Sequence, residues 1–263
     1  MPEGHTVHRT AKLFTQHFSK EPVKVSSPQG RFTDAGLISG TRLLKAEAHG
    51  KQMFLHFEPA TLRIHLGIYG KWGFGGFEDK PPEPYGAVRA RFLQSDYLAD
   101  LRGPTACELI DQDSLQVVLG KLGPDPLKPD PKGHEKTRFL ERVLRSKTSI
   151  GQLLMDQSVL AGVGNVYRAE LLFRASQSPF TPGNQVRLEV LEQIWGDAVT
   201  LMQIGVKKGI MLTRDGFLTG RPKKSDRYYV YKREGLGCRN CSATIQISDM
   251  ATRKLYWCPA CQA

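Results

Sequence analysis

Near the end of the chain, Cys238 and Cys241 form one Cys-x2-Cys pair, and Cys258 and Cys261 form a second after 16 intervening residues. Each pair lets two thiolates reach a single ion, and four thiolates complete the tetrahedral shell that Zn2+ prefers. The other readings are a redox pair or inert thiols, but two pairs at ribbon spacing point to metal. With four protein ligands there is no open position for water, so one structural Zn2+ is expected. Between the pairs, Thr244 to Ile247 and Leu255 to Trp257 alternate as a two-stranded hairpin would. Arg253 falls in that hairpin, placed either to meet a phosphate backbone or to be simply solvated. The fifth cysteine, Cys107, stands apart in a β-rich stretch and reads as a buried structural thiol.

A ribbon of this kind serves many proteins, and charge narrows the choice. The 263 residues carry 37 Lys and Arg against 26 Asp and Glu, a net charge of +11. From residue 201 to the end there are 12 basic and 4 acidic residues. A basic excess concentrated beside a metal ribbon points to a polyanion, nucleic acid before an anionic membrane. No apolar run approaches the roughly 18 residues needed to span a bilayer. The opening MPEGHTVHRTAKLF has no apolar core of a secretory signal, so a cytoplasmic location is expected.

The chain changes character along its length. Val7, Ala11, Phe14 and Phe18 share one helical face, with Pro2 suited to the helix start. From about residue 23 to 118, short β-rich runs (LLKAEAHG, QMFLHF, LRIHLG, AVRARFLQ, YLADLRG, LQVVLG) predict an antiparallel sandwich or barrel. LGPDPLKPDPK, at 122–132, holds four prolines and reads as a stiff connector. Helical periods follow at 135–146, 150–157, 165–174 and 187–201, with AGVG at 161–164 as a tight turn between two of them. A basic, glycine-bearing loop is expected over 205–231. The boundaries expected are a β-sandwich domain over 1–121, a linker over 122–132, a helical domain over 133–229 and a zinc finger over 230–263.

The N-terminus carries the second chemical signal. Removal of Met1 would leave Pro2 with a free secondary amine. Such an α-amine has a pKa of about 8, far below lysine's, and a helix N-terminus disfavours its ammonium form further. Attack on a sugar C1′ would give a cationic iminium, an electron sink like other Schiff bases. Glu3 stands beside it as a proton donor for the opening sugar ring. Many proteins begin Met-Pro with no such role.

Several motifs fall in a telling order: MPEG at the start, His49-Gly50-Lys51, HLGIYG at 65–70, LGPDPL at 122–127, LLMDQSVLAGVGNVYRAE at 153–170, VYKREG at 230–235, and the cysteine ribbon ending CPACQ. Over essentially its whole length the chain resembles the formamidopyrimidine-DNA glycosylase and endonuclease VIII family. The resemblance implies an α+β multidomain protein: an N-terminal β-sandwich with an N-terminal helix, then a helix-two-turn-helix domain with a C-terminal zinc ribbon. It implies a monomeric base-excision enzyme, both DNA glycosylase and apurinic/apyrimidinic lyase, acting on damaged double-stranded DNA held between the two parts. It places the nucleophile on Pro2, the general acid on Glu3 and a catalytically important phosphate-contacting lysine on Lys51. Asn165 and Arg253 become phosphate clamps. Ile68 becomes a wedge into the base stack, with strand core packing as its alternative, and Tyr69 and Arg102 are its companions in filling the gap.

Some positions depart from the family. Residues 5 and 6 are His and Thr where many relatives carry a second carboxylate at the latter position. Arg102 is followed by Gly103 and Pro104, where the oxidised-purine branch continues Arg-Phe. His5, His8, His49 and His65 lack ligand spacing and read as structural or DNA-proximal. Glu170 and Asp156 have either structural or acid–base roles. The polar residue after MPEG, Tyr69 and the interrupted Arg-Arg-Phe stretch favour removal of oxidised pyrimidines over the purine branch, and the resemblance implies cleavage by β,δ-elimination. The alternatives are an oxidised-purine glycosylase of the same family and a non-catalytic zinc-ribbon protein that binds damaged DNA.

Overall fold

The computed structural model describes residues 2–263; Met1, whose removal the nucleophile reading requires, lies outside the described residues. The chain forms two compact units, residues 1–120 and 121–263.

The first unit opens with helix α1 (Gly4–Phe18) and continues through β1 (Pro22–Ser26), α2 (Ala35–Ile38), β2 (Thr41–His49), β3 (Gln52–Phe57), β4 (Thr61–His65), β5 (Lys71–Gly76), β6 (Val88–Leu93), β7 (Tyr97–Arg102), β8 (Ala106–Ile110) and α3 (Gln112–Gly120). The strands run in the order β5-β7-β6-β1-β2-β3-β4-β8. Strand β1 changes partner halfway. Pro22 and Val23 pair with β2, whereas Lys24 to Ser26 pair with β6. It thereby joins the two halves of the β-sandwich. The face of α1 that periodicity picks out, Val7, Ala11, Phe14 and Phe18, is buried. Phe14 packs edge-on against Trp72, Phe74 and Phe92, with ring centroids 5.0, 5.9 and 5.2 Å away. An amphipathic helix that cannot stand alone is thus fixed by the aromatic side of the sheet.

Two expectations fail here. Pro2 lies before Glu3, which is the N-cap of α1, so proline precedes the helix rather than starting it. The run LQVVLG, read as a strand, lies in α3. A short unbroken apolar run carries no period of its own. The capping oxygen decides: Asp111 Oδ1 accepts the Ser114 N–H at 2.8 Å and opens a helical turn.

The second unit holds α4 (His134–Leu144), α5 (Ile150–Leu153), α6 (Asn165–Arg174), α7 (Leu188–Lys208) and a hairpin of β9 (Gln246–Met250) and β10 (Arg253–Trp257). The proline-rich stretch is packed into this unit: the Gly123 N–H donates to Gln157 O, and the Ala161 N–H to Pro124 O, both at 2.8 Å. Gly123 is required there, since a Cβ would lie 2.3 Å from Ser158 O. Helix α5 stops at Leu153, short of the expected 157, because Asp156 Oδ1 accepts the Ser158 N–H at 2.8 Å and turns the chain. Helix α7 instead overruns its expected end at 201 and stops at Lys208, followed by left-handed Gly209 at φ 72°. The expected loop therefore begins later than residue 205. Helix α6 is buried all round. One side joins Tyr167, Leu171 and Leu172 to the helical core; the other joins Ala169 and Phe173 to Val230, Ile245, Tyr256 and the buried cysteines.

Candidate functional site

At the N-terminus, Pro2 is half-buried and Glu3 is fully buried. Glu3 has extended backbone (φ −120°, ψ 175°), and its carbonyl accepts the Thr6 N–H at 2.9 Å, closing the first turn of α1. An amine at Pro2 therefore sits at the positive end of a helix, with a carboxyl-bearing neighbour shut off from bulk water. Beside them His5 is buried, and burial together with repulsion from His8 pulls its pKa down to about 4. At neutral pH it adds no charge to the N-terminus.

Lys51 occupies the turn between β2 and β3, directly after Gly50 at φ 56°. Its carbonyl accepts a hydrogen bond from His65 Nδ1 at 3.1 Å, which fixes the proton on that ring nitrogen. His65 thus holds the lysine's turn.

Ile68 and Tyr69 lie in the turn after β4, exposed to 45% and 84% of their surface. Ile68 is therefore not a core residue on a strand. Arg102, at the end of β7, is heavily engaged. Its Nη2 meets Asp100 Oδ2 at 2.9 Å and its Nε donates to Tyr85 O at 2.9 Å. Gly103 follows at φ 58°, close against the Tyr69 backbone.

In the second unit, α6 and the hairpin bring Asn165 and Arg253 into one assembly. Asn165 Nδ2 donates to Lys254 O at 2.9 Å, and its Oδ1 accepts from Arg168 Nη2 at 2.5 Å. Arg168, wholly buried, also donates to Met250 O at 3.1 Å. These bonds grip both strands beside the turn Ala251–Thr252, whose residues have φ 52° and 59°. Such a turn normally carries Asn-Gly, so here packing holds two unfavourable conformations in place. Arg253, next in sequence, shares a surface cleft of about 300 Å³ with Gln152, Met155, Asp156, Ala251 and Thr252. Sequence reasoning missed Arg168. Its only local signal is the spacing of three from Asn165 on a helix with no polar face.

The four cysteine sulfurs lie within 4.8 Å of one another, with Cys238–Cys261 at 3.8 Å and Cys241–Cys258 at 3.5 Å. Four thiolates about 2.3 Å from one Zn2+ place sulfurs about 3.8 Å apart, so the set fits a tetrahedral metal. Cys107 stands elsewhere on β8, half-buried rather than fully buried as expected, and the desolvation it does have raises its thiol to about 12, which makes it a poor nucleophile.

Glu170 is fully buried and accepts four hydrogen bonds, from the Thr213 hydroxyl (2.5 Å) and the N–H groups of Tyr229, Val230 and Tyr231 (2.7, 2.8 and 2.8 Å). Burial pushes its carboxyl up, against the pull of those donors. It ties together the two ends of the basic loop over 214–228. That is a structural post, and the loop's geometry depends on it.

Two family profiles fit the chain: Formamidopyrimidine-DNA glycosylase N-terminal domain over residues 1–107 and Formamidopyrimidine-DNA glycosylase H2TH domain over residues 122–215. Endonuclease 8 1 of Mycobacterium tuberculosis is 42% identical, the alignment covering 100% of both chains. Formamidopyrimidine-DNA glycosylase of Methylobacillus flagellatus is 30% identical over 98% of this chain and 90% of its own. Among solved structures, Lactococcus lactis Fpg in complex with abasic-site DNA has a TM-score of 0.80 at 22% identity over 99% of each chain, a likeness of fold. With both profiles matched in order and a relative 42% identical from end to end, the chain belongs to the formamidopyrimidine-DNA glycosylase and endonuclease VIII family of DNA glycosylases and AP lyases.

Proposed function

We propose that this glycosylase and AP lyase removes oxidised pyrimidines from double-stranded DNA through an iminium on Pro2, and cuts the strand by β,δ-elimination. The observation that carries the chemistry is the pairing of half-buried Pro2 with fully buried Glu3 at the head of α1. The Pro2 nitrogen, free once Met1 is gone, gives its lone pair to C1′ as the glycosidic bond breaks and the base leaves. Glu3 protonates the ring oxygen as the sugar opens, leaving C1′ doubly bonded to nitrogen. That cation acidifies C2′; loss of a C2′ proton drives out the 3′ phosphate. A second elimination drives out the 5′ phosphate.

Lys51, Asn165 and Arg253 serve the phosphates, and Ile68 with Tyr69 occupies the space of the extruded nucleotide. The exposure of that pair supports the wedge reading. Asn165 acts in part through the hairpin backbone it holds. One Zn2+ on the four thiolates fixes the ribbon and takes no part in the reaction. Extrusion costs least for a badly stacked lesion, which a nonplanar oxidised pyrimidine is. The engagement of Arg102 with Asp100 and Tyr85 leaves few groups to interrogate the opposite base. The enzyme works as a monomer in the cytoplasm, on the nucleoid; among the described residues no helix is long and apolar enough to cross a membrane.

Borohydride trapping on abasic DNA, with the adduct mapped by mass, tests the nucleophile. The bond belongs on residue 2; an adduct on an internal lysine refutes the mechanism. Pro2→Gly should retain weak trapping and a retained Met1 should abolish it. Single-turnover excision from matched duplexes tests the lesion class. Faster removal of 8-oxoguanine, with strong preference for cytosine opposite, would assign the protein to the purine branch.

A further inference from the structure

Tyr85 and Tyr69 are the two most exposed large apolar side chains among those described, at 86% and 84%. Both are mounted on the end of β7. Tyr69 rests by its backbone on Gly103, and Tyr85 is held by its carbonyl on Arg102 Nε at 2.9 Å. The loop bearing Tyr85 reads PPEPYG, so three prolines stiffen the five residues that end at the tyrosine. A second arginine pins the same loop: Arg91 Nη1 donates to Pro82 O at 2.7 Å. Both arginines share one carboxylate. Arg91 grips Asp100 with two bonds (2.7 and 2.9 Å), and Arg102 takes Asp100 Oδ2 at 2.9 Å. Gly73 on the neighbouring strand leaves the space, since a Cβ there would stand 3.0 Å from Arg102 Nη1. Glu83, from the loop, lies near enough to Arg91 to help hold its charge.

A three-ion cluster, with Arg91 and Asp100 buried and Arg102 half-buried at its edge, thus fixes a loop whose tip is an aromatic ring in water. Ring exposure of that kind gains nothing in folding, whereas a rigid ring meets a flat partner with little further loss of entropy. The geometry points to Tyr85 as a second stacking residue, which packs on a base of the undamaged strand, with Arg102 as its positioning residue. This rests on the DNA-repair reading above. The partner is a nucleobase face of any sequence, since every base has one. Lys71, exposed and opposite Arg102 in the β5–β7 register, adds a cation for the nearby phosphates.

The test uses the full-length, zinc-loaded protein and a tetrahydrofuran abasic duplex with 2-aminopurine opposite the lesion, beside the same lesion strand alone. Stacking on Tyr85 quenches the fluorophore. Tyr85→Ala should relieve the quench and lower the duplex-to-single-strand affinity ratio by about 5- to 140-fold, the range for one lost aromatic stack. Tyr85→Phe should restore both. Arg102→Leu should reproduce the alanine effect, and the double variant should be no worse than either single one. A ratio for Tyr85→Ala within twofold of the unaltered protein overturns the assignment. Additive losses for Arg102→Leu and Tyr85→Ala overturn the positioning role, since Arg102 then touches DNA itself. Borohydride trapping on abasic DNA by the unaltered protein separates the two ideas: its absence sinks the repair chemistry, and its presence with an unchanged ratio sinks only the Tyr85 surface.

Discussion

Glu170→Gln separates a structural carboxylate from an acid–base one. The substitution keeps shape and volume but replaces one oxygen with an amide NH2. Each oxygen of Glu170 accepts at least one backbone N–H, so any orientation of glutamine turns a donor toward a donor. The least costly orientation puts the NH2 in the Oε2 position. There the Thr213 hydroxyl can rotate to accept, but the Tyr229 N–H is orphaned. An orphaned buried N–H costs about 1–3 kcal/mol, and loss of charge from the two surviving bonds costs about 1 kcal/mol more. We expect a local loss of about 3 kcal/mol, confined to the loop that Glu170 closes. Amide exchange reads this directly. Tyr229, Val230 and Tyr231 should exchange on the order of 100-fold faster, while buried Phe139 of α4 keeps its protection. Unchanged exchange at these three amides, with abolished strand cleavage, would show that Glu170 acts in proton transfer and that the post reading is wrong.

Other perturbations follow the same reasoning. His5 has a pKa of about 4 folded against an ordinary 6.5, so the unfolded chain takes up a proton that the folded one refuses. Its contribution is therefore fully present above pH 6.5 and lost between 6.5 and 4, about 3 kcal/mol in all; urea titrations of the protein and of His5→Asn should converge at neutral pH and diverge in acid, and parallel curves contradict this. Cys258→Ser should lose the bound Zn2+ and DNA affinity together while the β-sandwich stays folded, and full affinity without metal would refute the ribbon's role. Arg253→Ala should lower the salt slope of DNA binding by about one. Arg168→Met should do nearly the same with Zn2+ retained, because the Met250 carbonyl loses its arginine donor, the Lys254 carbonyl keeps only Asn165 Nδ2, and Asn165 Oδ1 loses the guanidinium that orients it, and the pair should not add.

The reach of the sequence tracks the distance over which each feature is specified. The buried face of α1 repeats every three or four residues, and the cysteine pairs need only their own spacing, so both are legible in a single pass. Strand β5, KWGFGG, carries too little apolar alternation to be seen; β7 makes it a strand, by pairing Lys71 to Gly76 with Arg102 to Tyr97. Polar networks are harder still. Arg91, Asp100 and Arg102 look like ordinary surface charges in isolation. They become one ion cluster, buried at Arg91 and Asp100, only when β6 and β7 lie side by side with a proline-rich loop above them.

Asn165 shows why a motif can name a residue without giving its mode of action. Its place at the start of α6 follows from the local sequence GNVYRAE, and the family resemblance assigns it to phosphate. Yet its Nδ2 meets the carbonyl of Lys254, 89 residues away. No local signal encodes that bond. It arises because Arg168, buried on a helix without a polar face, needs acceptors and finds them in Asn165 Oδ1 and the hairpin carbonyls. An unpaired guanidinium there would be costly, so the ribbon must close over α6 in this register. The strained turn at Ala251–Thr252 is held by the same bonds, and it sets where Arg253 begins. Arg253, the proposed phosphate contact, is thereby aimed from the helix beneath it, and substitutions at Arg168 should act on DNA binding without touching DNA.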